Sequence, residues 1–149
     1  MRIRRANVSD FSEIIACEQL AFDRPVDAAG AGAVGRSKLL ASHLRTGEIH
    51  VIGVARMILG YISFAPGHDH LFVDTLAVMP SHHRKGLGSV LLNHAEATAS
   101  EMGLGSVKLF TDGRISRNMK FYRHRGYRET GRCEDIDFSR VYYSKAVAA

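Results

Sequence analysis

The spacing of hydrophobic and polar residues changes several times along this chain, and each change marks an element. Leu71, Phe72, Val73, Leu76 and Val78 form an apolar, β-branched run that predicts a buried strand, and Pro80 removes the amide a ladder would need to continue. A polar loop, Ser81-His82-His83-Arg84-Lys85, leads into Gly86-Leu87-Gly88. Beyond it Leu87, Leu91, Ala95 and Met102 recur at helical spacing. The pattern is strand, glycine-rich basic turn, helix.

Upstream, Arg2-Ile3-Arg4 reads as a short first strand. Asp10 with Glu13 three residues later has the form of a capping box, and Phe11, Ile14, Ile15, Cys17, Ala21 and Phe22 fall on one helical face. Pro25 ends this helix and opens an alanine- and glycine-rich loop over 27–35. Leu39, Leu40 and Leu44 mark a second helix that stops near Gly47. Residues 49–54 and 58–64 then predict a hairpin around Ala55-Arg56-Met57, closed off by Pro66-Gly67. Downstream, Gly103-Leu104-Gly105 stops the central helix and residues 107–111 form a strand. Ile115, Met119, Phe121 and Tyr122 lie in a short helix ending at Gly126, and residues 127–134 and 140–144 read as two closing strands.

A chain of 149 residues fits one domain, 1–149, with a single substantial core. Hydrophobic residues make up 46% and charged residues 23%, and no apolar run approaches the length that spans a membrane. Basic residues near Met1 give way at once to Asn7, Ser9 and Asp10 rather than to an apolar signal region, so a cytoplasmic location is expected. Cys17 and Cys133 make no CxxC or metal spacing, which predicts two reduced thiols. The net charge of +5 suits a polyanionic partner, yet the basic residues are spread from Arg2 to Arg140 and no DNA or RNA recognition motif is present. Neither a nucleic-acid nor a membrane partner is expected.

The glycine-rich turn carries the candidate chemistry. The first amides of a helix have no partner inside it, and the helix dipole places partial positive charge there, so an anion is stabilised. Gly86 and Gly88 allow sharp bending and close approach, and Arg84 and Lys85 add full charges. The expected ligand is a phosphate or pyrophosphate; the bland alternative is an ordinary tight turn with a solvated basic pair. No Gly-Lys-Ser/Thr follows at P-loop spacing. Gly30, Gly32 and Gly35 spell GxGxxG, but no strand precedes them as a dinucleotide site requires. His68, His70, His82 and His83 raise the question of a metal; no third and fourth ligand have recognisable spacing, so none is expected.

Leu76-Ala77-Val78-Met79-Pro80, followed by Arg84-Lys85-Gly86-Leu87-Gly88 and Leu91-Leu92, resembles the acyl-CoA-binding motif of the GNAT superfamily of N-acetyltransferases. That pattern is Q/R-x-x-G-x-G/A, and His83 stands where Gln or Arg is usual. Asn118-Met119-Lys120-Phe121-Tyr122 and Gly126-Tyr127 resemble the family's second motif, and the two together span most of the chain. The resemblance implies a mixed α/β (α+β) fold. Its central, mostly antiparallel sheet would have six to seven strands, flanked by about four helices, with splayed central strands. It also implies acetyl-CoA as acyl donor, with the pantetheine arm paired to backbone near Leu76, Ala77 and Val78. The pyrophosphate would rest on amides from Arg84, Lys85, Gly86, Leu87, Gly88 and Ser89, with His83 a further cofactor-binding position of the motif, and Asn118 would bond the arm. Loops like that over 27–35 help form the acceptor rim in the family.

In such enzymes an amine attacks the thioester through its neutral lone pair. At pH 7 an α-amine with pKa about 8 is roughly one-tenth neutral, and a lysine amine near 10.4 only a few parts in ten thousand. Proton removal therefore matters, and Asp74, Asp112, Glu134 and His68 are the candidate bases. Asp74 occupies a position where many relatives carry a carboxylate, and its plain alternative is a satisfied strand side chain. Tyr122 matches the family's general acid, the alternative being a packed core tyrosine. Full proton transfer from an unperturbed phenol to a thiolate is uphill by roughly 2 kcal/mol, so Tyr122 needs a lowered pKa or acts mainly as a hydrogen-bond donor. No Ser/Cys-His pair is placed for an acyl-enzyme, which points to direct transfer. A non-catalytic acyl-CoA-binding sensor on the same fold is the alternative. The amine acceptor stays open between small molecule and protein, and relatives commonly form homodimers.

Overall fold

The structure is a computed structural model describing residues 2–21, 48–54, 57–83, 85–137 and 139–148. Among the described residues seven strands form one sheet, β1 (Arg2–Arg5), β2 (Ile49–Val54), β3 (Met57–Pro66), β4 (His70–Val78), β5 (Ser106–Asp112), β6 (Arg128–Glu134) and β7 (Ser139–Ala146), in the order β1-β2-β3-β4-β5-β7-β6. Three helices lie among the described residues: α1 (Phe11–Ala21), α2 (Leu87–Glu101) and α3 (Ser116–His124). The expected helix at Leu39–Leu44, the glycine loop over 27–35 and the Ala55-Arg56 turn lie outside the described residues. The hairpin flanking that turn pairs antiparallel from Ile49–Ser63 to Val54–Met57. The β4–β5 ladder is parallel and short: it runs from His70–Ser106 to Val73–Leu109, although β4 continues to Val78 and β5 to Asp112.

By internal contacts the chain divides into two units, Met1–Phe64 with Thr75–His94, and Ala65–Asp74 with Ala95–Ala149. In the first, Ile14 and Cys17 of α1 pack with Ile49, Val51, Ile58, Tyr61 and Ala77 from three strands. Burial pushes the Cys17 thiol up to about 12, so it stays protonated. The helix start differs from the expected capping box. Asn7 is the N-cap of a short 3-10 turn, Val8–Asp10, that runs into α1; its side chain accepts from Ser9 N, and its own amide donates to Asp10 at 2.8 Å. Asp10 is thus the reciprocal partner and not the cap, and Arg4 grips it through two 2.8 Å contacts that hold its carboxyl below the ordinary value. Glu13, the expected partner, accepts instead from the Ile58 amide of β3. Also in this unit, His50 stacks on Phe64 at 5.1 Å and lies 4.7 Å from His94 of α2.

The second unit buries Val107, Leu109, Val141 and Tyr143 from β5 and β7 with Tyr122 of α3 and Tyr127. On the alternate strand positions Phe72, Phe110 and Tyr142 form a row across β4, β5 and β7, with centroids 6.1 and 5.7 Å apart. No helix among the described residues is long and apolar enough to cross a membrane.

Candidate functional site

Strand β4 alternates strictly: Leu71, Val73, Thr75 and Ala77 are buried, while Phe72, Asp74, Leu76 and Val78 occupy the half-buried positions between them. A period of two places Asp74, Leu76 and Val78 on one face of that strand. The chain leaves β4 with Met79 N donating to Leu59 O at 2.8 Å, then makes a 3-10 turn over Pro80–His82. His83 resumes extended backbone, and its Nε2 lies 3.0 Å from the Val78 carbonyl.

Gly86 has φ +79°, a left-handed conformation that costs other residues about 1–2 kcal/mol. A Cβ built there meets none of the described residues within 4 Å, so the demand for glycine comes from backbone geometry. The Gly86 carbonyl accepts from Val90 N at 3.1 Å, the first bond of α2. Gly88 and Ser89 follow in the first turn of α2, the end at which the helix dipole favours an anion. Leu87 is buried, as are Leu91, Leu92, Ala95 and Ala99, which root this helix; Met102 lies past its end and is exposed. Lys85 is exposed, and Arg84 lies outside the described residues. Leu76, Ala77, Val78, His83, Lys85, Gly86, Leu87, Gly88 and Ser89 therefore fall in the first unit.

Asp74, Asn118 and Tyr122 fall in the second. Asn118 donates Nδ2 to Thr111 Oγ1 at 3.2 Å, linking α3 to the end of β5. Tyr122, 9% exposed, packs against Phe121, Tyr127 and Tyr143 with centroids 5.2 to 5.9 Å away. Desolvation alone raises its phenol well above the ordinary value, the opposite of the lowered pKa that full proton transfer to a thiolate would need. Asp112, another candidate base, is engaged by Arg114 through Nε and Nη2, both at 3.0 Å. His68 lies in an exposed bend and Glu134 at the exposed end of β6, whereas His70 begins β4 and holds Asp69 at 2.8 Å. Among the described residues no three His, Cys, Asp or Glu side chains converge as a metal site would require.

One group escaped the sequence reading. Glu96 of α2 accepts from Tyr127 Oη at 3.0 Å and from Lys145 Nζ at 2.8 Å, anchoring the residue that follows the Gly126 turn. Its members are about 18 to 49 residues apart, and no periodicity announces such a triad.

A family model described as acetyltransferase (GNAT) family matches residues 16–127. The chain belongs to the GNAT family of acetyltransferases. GNAT proteins use acetyl-CoA, and both recognised motifs lie within the matched span or at its edge. Solved structures of the same fold include the PaiA N-acetyltransferase of Thermoplasma acidophilum in complex with coenzyme A. It is 14% identical over 95% of this chain and 96% of that one, with a TM-score of 0.82. The ribosomal-protein-alanine N-acetyltransferase of Brucella melitensis is 16% identical over 99% of this GNAT chain and 100% of its own, with a TM-score of 0.80. An aminoglycoside 6'-N-acetyltransferase complexed with coenzyme A is 14% identical over 100% and 98%, with a TM-score of 0.81. At these identities the likeness is one of fold.

Proposed function

We propose that this GNAT protein transfers an acetyl group from acetyl-CoA directly to a primary amine of a small molecule or a protein. The observation that carries the reading is the Gly86 turn. It combines a left-handed glycine, a Cβ position clear of the described residues, an exposed Lys85 and the start of α2, at the place where the acyl-CoA motif falls. These features fit a pyrophosphate, because helix-start amides and a flanking cation both favour an anion there. Leu76 and Val78 would offer backbone groups to the pantetheine arm as a neighbouring strand does. Acetyl-CoA supplies the acetyl group as a thioester.

Asp74 would take the proton of the acceptor ammonium, directly or through a water, which raises the neutral fraction of the nucleophile. Tyr122 would remain a neutral phenol and donate a hydrogen bond to the sulfur as negative charge develops on it. Support for an amine acceptor comes from the neighbours that act on an alanine of a ribosomal protein and on aminoglycosides. They match this fold equally well despite unlike acceptors, so the acceptor class is set by pocket residues and not by the fold.

The test is isothermal titration with acetyl-CoA and CoA, followed by a thiol-release screen over amine acceptors. Binding with turnover supports the transferase. Binding without turnover favours the acyl-CoA sensor, and no binding overturns both.

A further inference from the structure

We propose that His83 is a positioning residue, whose imidazole ties the turn leading to Gly86 back onto the last residue of β4. The inference rests on the acyl-CoA reading of that turn. His83 Nε2 stands 3.0 Å from the Val78 carbonyl, a normal length for an N–H···O bond. A carbonyl only accepts, so the ring donates and Nε2 carries the proton. The bond spans five residues and closes the exit from the strand over the Pro80–His82 turn. Within that loop the backbone bonds are local, His82 N to Met79 O at 2.9 Å and His83 N to Pro80 O at 3.3 Å. The side chain adds a tie from the far end of the turn to the strand.

Both ends of the tie matter for the proposed ligand. Val78 is one of the two residues whose backbone would pair with the pantetheine arm, and the turn three residues beyond His83 would hold the pyrophosphate. One imidazole thus sets the separation of two contacts on a single long ligand. Ordering the turn before binding removes a conformational cost that binding would otherwise carry. His83 also stands where the motif has Gln or Arg, and all three side chains end in an N–H donor long enough to reach a nearby carbonyl. In this chain the departure in sequence keeps an N–H donor at the position.

The test compares His83→Ala with His83→Gln in the full chain, by titration with acetyl-CoA and by thermal melting without ligand. His83→Ala is expected to weaken acetyl-CoA binding about tenfold, with the unliganded melt little changed because the side chain is exposed. His83→Gln is expected to stay within about threefold of the parent, since the donor is retained. Binding by His83→Ala as tight as the parent's, or tighter, overturns the role; so does a Gln variant as weak as the Ala variant. A parent chain that fails to bind acetyl-CoA removes the functional reading and this role with it. A parent that binds while His83→Ala binds equally well removes this role alone.

Discussion

Tyr122 is enclosed by aromatic rings, and desolvation raises its phenol, so proton transfer to a departing thiolate is even more uphill than the roughly 2 kcal/mol of an unperturbed tyrosine. In the proposed mechanism, hydrogen-bond donation is the contribution left to it. Tyr122→Phe should therefore lower kcat by about ten- to a hundredfold while the acetyl-CoA KM stays within about threefold, as expected when a transition-state hydrogen bond is lost. Equal kcat for the two proteins in steady-state assays would remove Tyr122 from the mechanism. His50 poses a different residue-level question. Desolvation first, then the nearby His94 and Arg5, lower its pKa to about 4, and its Nδ1 is buried with no hydrogen-bond partner among the described residues. Between pH 6.5 and 4 the unfolded chain binds a proton that the folded chain refuses, so this contribution to stability falls as pH drops through that window and levels off below it. Discounted for partial exposure, the loss is about 2 kcal/mol. Urea midpoints measured from pH 7 to 4 should fall less steeply in His50→Phe, whose ring keeps the stack on Phe64 without titrating. Parallel curves for the two proteins would contradict the assignment.

At the level of elements, the stretch from β4 through α2 was legible because its signals are local. Alternation along β4, Pro80, the glycines and the Leu87-Leu91-Ala95 stripe each act within a few residues, and the structure follows them. Gly86 makes the strongest local demand. Gly86→Ala should destabilise the fold by about 1 kcal/mol, as backbone strain outweighs the gain from a stiffer unfolded chain. Gly86→Asn should cost less, since asparagine tolerates the left-handed region. Denaturant curves of the two variants would check the order, and an alanine variant as stable as the parent would show the turn relaxing to another conformation. What the sequence concealed was interaction at a distance. Asp10 and Glu13 have the right spacing for a cap, but Arg4 on β1 claims the first and the Ile58 amide of β3 the second, so Asn7 caps instead. The Glu96-Tyr127-Lys145 group and the His50-His94 contact were hidden for the same reason. Of the candidate site, the Gly86 turn could be read directly, whereas the bond from His83 to Val78 could not, because nothing in the spacing says where an imidazole points.

On the scale of the whole molecule, strand positions were legible but their order was not. β7 enters the sheet between β5 and β6, pairing antiparallel with both, and only pairing geometry reveals that insertion. The division into two contact units raises the question of how the chain unfolds. Its boundaries fall inside regular elements: β4 passes from one unit to the other between Asp74 and Thr75, and α2 does so between His94 and Ala95. A strand or helix held at only one half would leave backbone amides and carbonyls of the other half without their partners, at a cost of about 1–3 kcal/mol for each group that stays buried. Helix formation is itself cooperative along its length, so α2 resists being half formed. We therefore expect one domain by the thermodynamic criterion. Calorimetric and van't Hoff enthalpies should agree, and far-ultraviolet circular dichroism and tyrosine fluorescence should give coincident denaturant transitions. Two separated transitions would mean that β4 and α2 tolerate division at these positions, and that the units fold on their own.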